Sequence, residues 1–145
     1  TGPRLEAYPG VPEGLKEMKR LGILAAVVSN ARRTELLAGL EATGIRPLFQ
    51  AIVSRDDSPA PKPDPIHFLT ACAELNVDPT DCIAIDDSPT GLTSALLARI
   101  PTVTVTNTFP ALALKQPVPG RPDLRPLHIF TSMREFFAWA LTPEA

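Results

Sequence analysis

Apolar positions follow two rhythms along this chain, and polar or proline-rich breaks separate one from the next. Leu15, Met18 and Leu21 form a stripe that predicts a helix from Pro12, with Pro suited to the first turn and Gly22 as the stop. Ile23–Val28 is a short apolar run, too β-branched at its end for a helix, and predicts a fully buried strand ended by Ser29-Asn30. Leu36, Leu37 and Leu40 predict a helix over 33–42, closed by Gly44, and a strand follows at Phe49–Val53. A loop rich in Asp and Pro (54–65) leads into a helix marked by Phe68, Leu69, Ala73 and Leu75. Next come a strand at Cys82–Ile85, a helix after Gly91 carrying Leu92, Ala95, Leu96 and Leu97, and a strand at Thr102–Val105. A strand at Leu127–Phe130 and a helix around Phe136, Phe137 and Trp139 end the series.

Strands alternating with helices imply right-handed crossovers and a parallel sheet covered on both faces. The expected fold is therefore α/β, a Rossmann-like layer with helices above and below. At 145 residues the chain is one domain, 1–145, long enough to bury a sizeable core. No Gly-x-Gly-x-x-Gly occurs, so a dinucleotide is not supported, and there is no internal repeat.

Composition narrows the classes further. The chain is 44% hydrophobic and 21% charged with a net charge of −2, and no run of Lys and Arg exceeds a pair such as Arg32-Arg33, which argues against nucleic acid as a partner. The longest apolar runs are far too short to cross a bilayer, and no charged-then-apolar leader opens the chain, so a membrane is not expected and the expected location is cytoplasmic. Cys72 and Cys82 lack metal or redox spacing and read as buried, unpaired thiols of a reducing compartment. Five of the 17 prolines fall between Pro110 and Pro126, so residues 107–126 read as a surface loop. The chain opens Thr1-Gly2-Pro3 without an initiator Met, which suggests a removed or absent upstream segment.

Three polar groups stand at predicted strand ends, where an open parallel sheet holds its ligands. Asp86-Asp87 follows the strand at Cys82–Ile85; the pair suits Mg²⁺, which takes one or two protein carboxylates and keeps several waters, or else one of the two N-caps the next helix. Ser29-Asn30 can offer a hydroxyl, an amide and backbone N–H groups to an anion, or can cap a helix. Lys62 lies between Pro61 and Pro63, which would hold a cation in place; the alternative is a solvated loop lysine. Donors, a cation and a carboxylate pair are together the parts needed to hold a phosphoryl group while charge develops on it.

These segments resemble a known family. Val27-Val-Ser-Asn30, Pro61-Lys-Pro-Asp-Pro65 and Ile85-Asp-Asp-Ser-Pro-Thr-Gly91 look like the second, third and fourth motifs of the haloacid dehalogenase superfamily, within its branch of phosphatases and sugar-phosphate mutases that carry a helical cap domain. Tyr8-Pro-Gly-Val-Pro-Glu-Gly-Leu15 is similar to the segment that returns from the cap to the core. The resemblance implies that Ser29 binds the substrate phosphate with Asn30 and nearby N–H groups, and that Lys62 neutralises the phosphoryl group and orients the nucleophile. It implies that Asp87 is the chief Mg²⁺ ligand with Asp86 beside it, that Gly91 admits close approach of the helix, and that Ser88 supports the metal shell. Pro61 stands where the family usually has Gly, and Arg99-Ile100-Pro101 replaces a more usual Ala-Gly-aliphatic ending. His67 and His128 read as structural.

One motif is missing. The superfamily's Asp-x-Asp, whose first carboxylate is the nucleophile and whose second is the general acid/base, occurs nowhere in the chain. The resemblance makes residues 1–145 the part of the core that follows the cap, with the central nucleophile strand absent and its neighbours roughly 9–10 Å apart. An upstream segment or a second chain is then expected to supply that strand, unless the sheet closes up in another order. The chain alone is expected to be inactive and poorly stable or self-associating. The implied activity is Mg²⁺-dependent hydrolysis of a small phosphate ester through an aspartyl-phosphate. A sugar phosphomutase and a non-catalytic phosphate- or Mg²⁺-binding remnant remain alternatives. A receiver-like domain is disfavoured because Lys62 precedes Asp86.

Overall fold

The computed structural model describes residues 8–142, so the two ends of the expected 1–145 domain lie outside it. The elements run α1 (Val11–Arg20), β1 (Ala26–Val28), α2 (Arg33–Ala42), β2 (Ala51–Val53), α3 (Ile66–Leu75), β3 (Ala84–Asp86), α4 (Pro89–Leu97), β4 (Thr102–Val105), α5 (Ala111–Leu114), β5 (Ile129–Phe130) and α6 (Met133–Ala140). All strand pairs are parallel, but they fall into two sheets: β1 with β2, and β3-β4-β5 in that order. Among the described residues β1 and β3 each end a sheet, and they do not pair with each other. The sheet has not closed up in another order.

Alternation within the strands sends side chains to two opposite cores. Val27, Ile52, Ile85, Val103, Val105 and Phe130 meet Leu15 of α1, Leu36 and Leu40 of α2, and Phe136 and Phe137 of α6. Val28 and Ala84 meet Phe68 and Cys72 of α3, Ala95 of α4 and Ala98 just after it. The three-layer α/β arrangement expected from the sequence is therefore present. Since α2 and α4 lie on opposite faces, right-handed crossovers carry the chain from β1 outward to β2 and from β3 outward to β4. The direction of winding reverses between β1 and β3, which is where such sheets leave a crevice at their carboxyl ends.

Four strands start later than in the sequence reading: β1 and β3, and also β2, at Ala51 and not Phe49, and β5, at Ile129 and not Leu127. The run Ile23–Val28 is not a fully buried strand: only its last three residues pair, and Ile23 and Leu24 are 43% and 47% exposed. Likewise β3 begins at Ala84, and Ile83 is exposed. Strand length is set by the hydrogen-bonding neighbour, and β1 and β3 have a neighbour on one edge only.

The Pro-rich segment lies on the surface yet is anchored. It contains the single turn α5, and Leu114, Val118 and Leu124 insert against Leu92 and Leu96 of α4 in a third apolar cluster. Cys72 is buried and Cys82 half-buried, both free; burial first, and then the neighbouring Cys82 thiol, push the Cys72 thiol up to about 11. No described helix is long and apolar enough to cross a membrane.

Candidate active site

Each of the three predicted strand-end groups is placed by local structure. Ser29 follows β1 and keeps the ladder, its N–H donating to Val53 O at 2.9 Å. Its Oγ accepts from Ala31 N at 3.0 Å, so the hydroxyl proton remains free to donate. Neither Ser29 nor Asn30 caps a helix, because α2 starts at Arg33, whose N–H is taken by Asp56 Oδ2 at 2.9 Å. Asn30 instead grips the backbone of Lys62 at both ends of its amide. Lys62 N donates to Asn30 Oδ1 at 2.8 Å and Asn30 Nδ2 donates to Lys62 O at 3.2 Å.

Lys62 is not a solvated loop lysine. Its Nζ donates to Asp86 Oδ2 at 2.7 Å, and the two side chains are only 12% and 9% exposed. The ammonium also sits 5.1 Å from the centroid of the Phe68 ring, within range of its negative face. The backbone of Lys62 is thus fixed at the end of β1 and its charge at the end of β3, so this one residue spans the crevice. The Lys62–Pro63 peptide is cis.

The acidic pair divides its work. Asp86 is fully engaged: Oδ2 with Lys62, and Oδ1 accepting from Ser88 N at 3.0 Å and Ser88 Oγ at 2.9 Å. Its backbone oxygen accepts from Thr104 Oγ1 at 2.6 Å. Asp87 receives hydroxyl donors on Oδ2 alone, from Thr108 at 2.7 Å and Tyr8 at 3.3 Å, and among the described residues Oδ1 has no partner. Neither aspartate caps α4. Ser88 does so, its Oγ accepting from Gly91 N at 3.2 Å. Among the described residues no cluster of three or more His, Cys, Asp or Glu exists, so they offer a cation the two carboxylates of this pair at most. A ligand set of that size fits Mg²⁺, which fills its remaining positions with water and substrate oxygens.

Gly91 lies in the first turn of α4 with its Cα turned to Asp86. A Cβ built there stands 2.0 Å from the carboxyl carbon and Oδ2 of Asp86. Asp86 cannot yield without breaking its contacts to Lys62 and Ser88. Gly91→Ala is therefore expected to lower stability by about 1–3 kcal/mol or more through overpacking. It should also displace Lys62; an unchanged urea midpoint in the variant would refute the close approach.

Beneath the crevice lies His67, which has no exposed surface. Its Nε2 is 2.6 Å from Ser29 O and its Nδ1 is 2.6 Å from Ser58 Oγ. Burial first, and the Lys62 charge with it, hold its pKa below the ordinary 6.5, against the pull of the Ser29 carbonyl and Asp57. Asp57 is also held low, chiefly by the Ser54 hydroxyl, with the Ser54 N–H and the Arg33 guanidinium adding to it. In both cases the unfolded chain takes up its proton at a higher pH than the folded chain, so stability falls on acidification. For His67 the loss begins as pH drops below about 6.5, and for Asp57 below about 3.9. A lower urea midpoint at about pH 5.5 than at about pH 7.5 is expected, with a shallower dependence in His67→Gln.

Thr104, Thr108 and His67 escape the sequence reading as site residues. Thr104 and Thr108 come from the β4 region, and their partners are 18 and 21 residues away, a distance at which no local pattern connects them.

A parallel sheet with a donor turn, a fixed lysine and an acidic pair at its switch point defines a class, and comparison with known proteins gives the family. Residues 2–105 match the model of the haloacid dehalogenase-like hydrolases, and the chain belongs to that family. It is 32% identical over 114 residues to validoxylamine A 7'-phosphate phosphatase of Streptomyces hygroscopicus subsp. limoneus, covering 79% of this chain and 54% of that protein. It is 38% identical over 82 residues to a phosphoglycolate phosphatase of Nitrosospira multiformis, covering 57% of this chain and 36% of that protein. The chain thus spans about half the length, or less, of these relatives. Among solved structures, β-phosphoglucomutase of Clostridium difficile superposes with a TM-score of 0.74 at 23% identity, over 92% of this chain and 54% of that one, a likeness of fold.

Proposed function

We propose that this chain is the larger part of the catalytic core of a Mg²⁺-dependent phosphohydrolase acting on a small phosphate ester. The observation that carries the reading is Lys62, held by Asn30 at one side of the β1/β3 crevice and by Asp86 at the other; among the described residues the Ser29 hydroxyl proton, after β1, and Asp87 Oδ1, after β3, have no partner. Ser29 donates its hydroxyl proton to a phosphoryl oxygen, and Asn30 keeps the turn in register with Lys62. Lys62 places a positive charge where the transferring group becomes more negative. Asp87 would hold the cation through Oδ1, oriented by Thr108 and Tyr8, while Asp86 anchors Lys62. When bound, Mg²⁺ neutralises charge on the phosphoryl oxygens. A phosphatase is favoured over a mutase because several relatives above 30% identity are named phosphatases.

The nucleophile in this reading is an aspartate on a strand outside this chain, forming an aspartyl-phosphate that water then hydrolyses. Two observations support a strand acceptor: the edges of β1 and β3 that no strand among the described residues pairs, and the exposed Ile23, Leu24 and Ile83 that lead into those strands. Unpaired interior edges are costly and adhesive. The isolated 145-residue chain is accordingly expected to self-associate or unfold at low denaturant, and a cooperative, monomeric transition would count against the acceptor slot. The activity test is phosphate release from an aryl phosphate, with Mg²⁺ and with EDTA, by the chain alone and fused to the segment that precedes it. Mg²⁺-dependent release by the fusion only is expected. Release that survives EDTA would overturn the metal assignment, and release by the chain alone would overturn the external nucleophile.

A further inference from the structure

His67 is a wholly buried polar side chain to which the phosphoryl-transfer reading gives no task. Its ring joins two segments that the reading needs: the turn bearing Ser29 and the loop leading to Lys62. A carbonyl oxygen only accepts, so the 2.6 Å contact with Ser29 O places a proton on Nε2. Ser58 has one hydroxyl proton and two acceptors in reach, His67 Nδ1 at 2.6 Å and Ala60 O at 2.8 Å. The neutral ring accepts that proton at Nδ1; an imidazolium would donate to Ser58 Oγ and send the proton on to Ala60. In either state the ring is a strut between residue 29 and residues 58–60, two to four positions before Lys62.

A second cross-link, between Asn30 and the Lys62 backbone, joins the same two segments at the exposed mouth of the crevice. Water competes there. Around His67 nothing competes, and a hydrogen bond in a dry, low-dielectric setting is the stiffer one. The ring also stands one residue before Phe68, whose face receives the Lys62 ammonium, so the first turn of α3 touches both partners.

We propose that His67 is a positioning residue, which through its Nε2 hydrogen bond to the Ser29 carbonyl sets the phosphate-receiving turn at a fixed distance from Lys62. The proposal rests on the phosphoryl-transfer reading of Ser29 and Lys62. It differs from mere filling of a buried space in depending on one nitrogen and not the other. Gln at position 67 reaches the place of Nε2 and keeps the donor to Ser29. Asn reaches only the place of Nδ1 and keeps the Ser58 side, and Leu fills volume without either.

The test is kcat/KM for an aryl phosphate in the full-length protein carrying His67→Gln, His67→Asn and His67→Leu, with urea midpoints alongside. Misplacement by a fraction of an ångström predicts losses of about ten- to a hundredfold for Asn and Leu, and at most about threefold for Gln. Asn equal to Gln, or Leu equal to wild type, overturns the proposal. Should the variants not fold, wild-type protein labelled with ¹⁵N and titrated with inorganic phosphate gives the answer. The ring must show the Nε2–H tautomer, and that resonance must move together with the Ser29 amide. An Nδ1–H tautomer overturns the strut, as does phosphate that moves the Ser29 amide alone or neither signal. If the wild-type protein hydrolyses no phosphate ester under any metal, the phosphatase reading fails by itself, and the titration still decides on His67.

Discussion

Lys62→Met in the full-length protein is expected to lower stability by about 3–5 kcal/mol and to abolish phosphate-ester turnover. The size follows from what remains. Asp86 is slightly more buried than Lys62 and accepts from Ser88 on its other oxygen, so removing the ammonium leaves a carboxylate satisfied on one side and stranded on the other. Water has little access to replace the lost partner. The double variant Lys62→Met/Asp86→Asn removes the stranded charge while keeping an oxygen for Ser88, and should recover most of the stability and none of the activity. Urea unfolding of the three proteins measures the first effect, and phosphate release the second. A single-variant loss below about 1 kcal/mol would place the pair among surface ion pairs and remove the argument that Lys62 is rigidly held.

Asp87→Asn should act in the opposite manner, with little effect on folding and a large one on chemistry. Asp87 is half-buried and accepts hydroxyl protons from Thr108 and Tyr8 on one oxygen, a role that an amide oxygen can keep. What the amide lacks is the charge that holds a hard cation. Lewis-acid stabilisation is worth several kcal/mol, and each 1.4 kcal/mol is about tenfold, so turnover should fall about a hundred- to a thousandfold. The Mg²⁺ concentration giving half-maximal rate should rise with it. Wild-type Mg²⁺ dependence in the variant would mean that Asp87 is not the ligand. The two experiments also separate the members of the acidic pair: Asp86→Asn should disturb stability through Lys62, and Asp87→Asn should not.

Much of the site is legible in the order of residues alone. Ser29-Asn30 and Asp86-Asp87 stand out because each is polar where an apolar run must end, and strand ends face ligand in such a sheet; Lys62 stands out because a proline flanks it on each side. Their individual tasks are less legible. Helix capping by Asn30 or by either aspartate is a reasonable local expectation, yet Ser88 caps α4, and Asn30 is spent on a backbone 32 residues away. Buried His67 reads as merely structural because its two partners, Ser29 and Ser58, come from different segments.

The sequence by itself determined the order of helices and strands, the α/β class and the polar residues of the crevice, since periodicity, capping and turn chemistry act over a few residues and are written locally. Tertiary structure alone decided where β1 and β3 begin, which oxygen of which aspartate Lys62 takes, and which carboxylate keeps a free oxygen. Those outcomes depend on neighbours remote in the chain. A strand lasts only as long as its hydrogen-bonding partner, and a charged side chain in a nearly dry crevice goes to whichever counter-charge the fold brings within reach.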